Sequence, residues 1–203
     1  MPVDATVDPR HLQRVARATA GLNDLAMDAV PLRERKLDLL FLAFFVVNLT
    51  FVTYIVDLEA LVIADPSDFE YPIWPPKPLV DLIHWYGETY DPLLLARPPF
   101  WQMTMWIDVI FFGPFYAFAI YAFIRGRNWI RIPALVWSGM MLSNVLIILM
   151  DEVYGVTPAR NLAFVLAVNA PWLLMPFAVI WRLRREHPFH RPTASTPIAS
   201  THG

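Results

Sequence analysis

The chain has 203 residues, of which 57% are hydrophobic, 14% aromatic and 17% charged, too little polar surface to wrap a water-soluble core. A net charge of -2 excludes a nucleic-acid partner gripped through its phosphates, which requires a basic surface. The absence of cysteine excludes disulfides, thiolate metal sites and cysteine nucleophiles together.

Residues 1–36 read as a polar N-terminal arm in which Leu12, Val15, Leu22, Leu25 and Ala29 fall near one helical stripe; a surface helix and a disordered arm are equally consistent with it. The first residues lack the hydrophobic core of a secretory signal, so the first span is expected to direct insertion. Four apolar runs follow at 37–64, 100–124, 132–150 and 162–183, each near the roughly 20 residues that cross a bilayer. The expected fold is all-α, an integral membrane four-transmembrane-helix bundle over residues 37–185 with an intramembrane cavity. The connection 65–99 is rich in proline, yet "LVDLIHWYGETYDPLLL" spaces its apolar residues helically and predicts a short interfacial helix capping the bundle. Residues 186–203, polar and proline-rich, are expected to form a disordered tail.

Positive charge sets the expected orientation. Arg33, Arg35 and Lys36 precede the first span, Arg125, Arg127 and Arg131 fill the second loop, and Arg182, Arg184 and Arg185 follow the fourth span. All three segments lie on one side, which predicts that both termini are cytoplasmic.

Counting from the opposite boundary, Asp57, Asp108, Asn144 and Asn169 lie at roughly 9 to 12 Å depth on their four helices. A carboxylate facing lipid costs about 2.5 to 3.5 kcal/mol, so the acids are expected to converge on an internal cavity, where two neighbouring carboxyls would share a proton. Interhelical hydrogen bonding explains the two asparagines equally well. Trp172, three residues past Asn169, offers either a π face to a cation or a packing surface. Pro114, Pro133, Pro171 and Pro176 read as kinks, and His84 as an interfacial loop residue. No metal-ligand spacing is present and no cofactor is implied.

The ordered set "VDLEAL", "WYGETYDPLLLARPPFW", "DVIFFGPFYAFAIYAFIRG", "WIRIPALVWS" and "NAPWLLMPF" resembles the EXPERA family of sigma-two-receptor-like and emopamil-binding-protein-like membrane proteins, over about residues 36–185. The resemblance implies that Asp57 and Asp108 are the paired acids that meet a protonated amine. It matches Asn169 and Trp172 to the fourth-helix residues beside the cationic centre, and makes Asp91 a structural residue capping the turn before Pro92. It also implies a homodimer, residing in the endoplasmic reticulum of a eukaryote or the plasma membrane of a bacterium. The sterol-isomerase branch carries a histidine one turn before the first acid; here that position is Thr53, which removes a proton carrier.

Two functional expectations follow. The first is a membrane protein binding a sterol-like or cationic amphiphilic lipid, its head near Asp57, Asp108 and Thr53 and its skeleton among Phe111, Phe115 and Tyr116. The second is a sterol ring double-bond isomerase in which the same carboxylates move protons and stabilise a carbocation, with Asp57 and Asp108 catalytic. A small transporter or assembly partner is the remaining class; four helices without an inverted repeat leave little room for alternating access.

Overall fold

The computed structural model describes residue 13 and residues 27–192. The chain order is β1 (Met27–Ala29), α1 (Asp38–Val62), α2 (Lys77–Thr89), α3 (Leu93–Ala96), α4 (Pro99–Arg125), α5 (Asn128–Tyr154), α6 (Leu162–Arg182) and β2 (His190–Pro192). Of these, α1, α4, α5 and α6 are long and apolar enough to cross a membrane, as the apolar runs predict. Their outer faces expose Phe118, Ile132, Met150 and Leu174, apolar side chains that suit lipid rather than water.

Local chemistry fixes the helix ends. Pro99 occupies the first turn of α4, where a missing N–H costs nothing. Gly126 closes the same helix at φ 64°, the left-handed conformation that lets the chain reverse at once into α5. The Asn161 side chain accepts the Phe164 N–H at 3.2 Å and starts α6.

Two spans widen from α-helical to π-helical hydrogen bonding, at Asn48–Asp57 in α1 and Asp108–Phe112 in α4. Each has an identifiable cause. In α1 the side chains of Asn48 and Thr50 donate to the carbonyls of Phe44 and Val46, each at 2.8 Å, competing with the backbone ladder. In α4 Pro114 has no N–H to give the carbonyl four residues earlier, and the turn before it opens.

At the end of the bundle that carries the basic residues, the interior is a solid aromatic core. Phe45, Tyr116 and Phe123 are wholly buried, and the Phe115 ring stacks on Trp137 at 5.1 Å. Beneath it, buried Asp38 accepts from Arg182 at 2.6 and 2.9 Å and also pairs with Arg35. Both guanidinium groups flank the Phe189 ring at 4.9 Å.

Three expectations need correction here. Residues 186–192 of the expected tail are ordered, because Phe189 is fully buried under the two arginines, and residues 193–203 lie outside the described residues. It brings His190–Pro192 antiparallel to Met27–Ala29, with Asp28 opposite Arg191, so the described residues include one two-stranded ribbon in an otherwise helical fold. Ala29 accordingly belongs to a strand, while Leu12, Val15, Leu22 and Leu25 of the expected stripe lie outside the described residues. Third, α5 continues a full turn past residue 150 and takes Asp151 and Glu152 into the helix.

The proline-rich connection does contain a helix, α2, begun at Lys77-Pro78 and packed through Val80 and Ile83. The third loop is tied to it where the Arg160 N–H donates to the Tyr90 carbonyl at 2.9 Å. Phe189→Ala is expected to cost about 3 kcal/mol, since it empties the space between two cations, and a lowered unfolding midpoint in detergent checks it.

Candidate functional site

Between the aromatic core and the capping helix α2 lies a chamber of about 350 Å³, within the range of small-molecule sites. Asp57, Asp108, Asn144, Asn169 and Trp172 all line it, so the structure brings the four residues counted to one depth to a common wall. The carboxyl groups of Asp57 and Asp108 face each other and are 5% and 8% exposed, respectively. Among the described residues no lysine, arginine or histidine pairs with either acid.

The backbone holds the acids together. Gly113, one turn beyond Asp108, sits so close to α1 that an added Cβ would come within 2.7 Å of the Tyr54 hydroxyl and 3.0 Å of the Thr53 methyl. Thr53, wholly buried behind the chamber, donates its hydroxyl to Asp108 and fixes that carboxyl group's orientation. Trp172 is oriented through its indole N–H, which donates to the Asn48 side-chain oxygen at 2.7 Å. Asn169 turns its amide back to the Val165 carbonyl at 3.0 Å, leaving its oxygen for the chamber side.

The apolar lining differs from expectation. Phe111 is 60% exposed on the outer face, and Phe115 and Tyr116 belong to the aromatic core rather than the chamber. The physical reason is the π-helical turn at Asp108. With i→i+5 bonding the residue four positions on stays on the same face and the one three positions on swings away, so Phe112 lines the chamber and Phe111 does not. The walls come instead from Phe51 and Val56 of α1, Trp101 and Met105 of α4, and Met141 and Ile148 of α5.

Asp91 caps α3 as the turn sequence suggests, its carboxyl accepting the Leu93 N–H at 3.2 Å, while Pro92 supplies the preset backbone at φ -61°. It also lines the chamber, a position the sequence did not indicate, and burial pushes its carboxyl above the ordinary aspartate range. Beside it burial, aided by the Asp91 charge, pushes the Tyr86 hydroxyl up to about 12.

Sequence reasoning missed a buried ion cluster at this end. Glu59, two residues past Asp57, accepts two hydrogen bonds from Arg97 at 2.8 and 2.7 Å and lies 2.8 Å from the His84 ring nitrogen. His84 is therefore a strut between α2 and α1. Arg97 also donates to the carbonyls of Leu94 and Ile63, and this set of bonds holds its backbone at φ 45°, where only glycine sits without strain. The sole sequence signal was an acid and an arginine too apolar in context to be solvated.

Comparison with known proteins fits this layout. The EBP model, described as the EXPERA (EXPanded EBP superfamily) domain, matches residues 78–183. The sigma intracellular receptor 2 of Xenopus tropicalis is 31% identical over 157 residues, covering 72% of this chain and 86% of the relative. Those of Macaca fascicularis and Homo sapiens are each 27% identical, over 176 and 154 residues, covering 80% and 69% of this chain and 94% and 82% of the relatives. With the family model spanning more than half its length and a relative aligned over most of it, this four-helix integral membrane protein belongs to the EXPERA superfamily.

Proposed function

We propose that the chamber binds a sterol-like or cationic amphiphilic lipid, with the polar or cationic head between Asp57 and Asp108 and the hydrocarbon skeleton against the α1, α4 and α5 walls. The observation that carries this reading is the meeting of two carboxyl groups, supplied by different spans, in a largely apolar chamber where, among the described residues, no cation answers them. An ammonium group placed there neutralises the acids and is held by charge-assisted hydrogen bonds in a low-dielectric setting. The indole of Trp172 lines the same wall and offers its face to such a centre. The match to relatives named sigma intracellular receptor 2 supports a ligand-binding role. The basic ends of α1, α4 and α6 support an orientation with that end in the cytoplasm.

One observation favours a second reading, a sterol ring double-bond isomerase. Two carboxyl groups and an indole on one chamber wall are what a transient carbocation requires: one acid protonates an alkene carbon, the other removes a proton from a neighbouring carbon, and no net proton is consumed. The bound Thr53–Asp108 pair counts against it, because the hydroxyl replaces a proton-carrying imidazole at that position.

Asp57→Asn and Asp108→Asn are each expected to weaken binding of protonated hydrophobic amines by at least about thirtyfold, or about 2 kcal/mol, while neutral sterols change by less than about threefold. Titration of both ligand types into the purified protein measures this, and equal losses for the two contradict the counter-ion role. The isomerase reading requires that purified protein incubated with candidate sterols yield a shifted ring double bond by mass spectrometry and NMR; retained binding without turnover rejects it.

A further inference from the structure

A second acid pair stands at the α2 end of the chamber. Asp91 lines the wall and is 3% exposed. Behind it, in the last turn of α5, Glu152 is 1% exposed and its carboxyl group meets only that of Asp91. The two carboxyl groups face each other. Among the described residues no lysine, arginine or histidine pairs with either; Arg97, the buried cation of the same loop, is committed to Glu59. Two buried carboxyls that have only each other are a costly feature for a fold to keep, and the cost is relieved when a cation arrives.

The position of this pair along the chamber defines the cation. Asn144 lines the chamber with Asp57 and Asp108, and Glu152 lies eight residues further along the same helix. At 1.5 Å per residue the separation along the axis is about 12 Å. Between the two levels the wall is apolar, built by Val145 and Ile148 of α5 and Leu94 of α3. Tyr86, also on the wall, adds an aromatic face beside Asp91. Acids at both ends with hydrocarbon between them complement a molecule that is hydrocarbon in the middle and cationic at both ends.

We propose that Asp91 and Glu152 form a second ammonium-binding station, and that the chamber takes dicationic amphiphiles whose amino groups are separated by an apolar spacer of about 12 Å. This rests on the reading of Asp57 and Asp108 as the first cation station.

The test compares decylamine, diaminodecane and diaminobutane by calorimetric titration into the full-length protein in nanodiscs. Diaminodecane is expected to bind about tenfold tighter than decylamine, and diaminobutane, too short to reach both stations, to show no such gain. In Glu152→Gln, and separately in Asp91→Asn, which keeps an acceptor for the Leu93 N–H, the diaminodecane-to-decylamine affinity ratio should fall to within about twofold. Reading a ratio separates loss of the second station from general damage to the fold. The inference is overturned if diaminodecane has no advantage in the unmodified protein, or if the advantage survives both substitutions. If decylamine binds while diaminodecane gains nothing, the first station stands alone; if no amine binds, the counter-ion reading falls and the second station falls with it.

Discussion

Hydrocarbon offers no hydrogen bonds, so each polar group that enters it must find its partner inside the protein. That constraint organises the molecule. At the basic end it is met by Asp38 between Arg35 and Arg182, and at the opposite end by Glu59 between Arg97 and His84. These two clusters bracket the bundle, each joining a span to segments far away in sequence. Among the described residues, the buried acids Asp57, Asp108 and Asp91, which line the chamber, and Glu152 behind Asp91 have no cation of their own.

Fold and site are coupled through helix irregularity. Back-bonded Asn48 and Thr50 in α1 and Pro114 in α4 loosen the two spans that carry the acids, and the widened turns select which side chains face inward. The chamber is a consequence of where the aromatic core stops. Phe45, Tyr116 and Trp137 fill one half of the bundle, and past Phe112 and Met141 the chamber opens beside Thr104, Met105, Asn144 and Val145.

The four spans and the convergence of Asp57, Asp108, Asn144 and Asn169 were legible in the sequence, because hydropathy sets span limits and helical rise converts residue counts into depth. The lining was not. Phe111, Phe115 and Tyr116 lie three, seven and eight residues past Asp108, on its face in a regular α-helix, and that regularity fails at Asp108, where the turn is wider. Pairings across long separations were equally invisible: Asn48 meets Trp172 across 124 residues, and Arg97 meets Glu59 across 38. The tail defeated compositional reasoning for a different cause. One phenylalanine, held between two arginines, outweighs the polar and proline-rich residues around it.

Gly113 has a mechanical consequence. Because the α4 backbone at Gly113 packs directly on the Thr53 and Tyr54 side chains of α1, with no intervening methyl, the spacing of the acids is held by a close contact that leaves those side chains little room to move. The opposite end is roofed by Leu82, Ile83 and Tyr86 on a separate helix hung between prolines. A guest would therefore meet a floor that holds its head group to one fixed geometry and a roof that His84 braces to the same span.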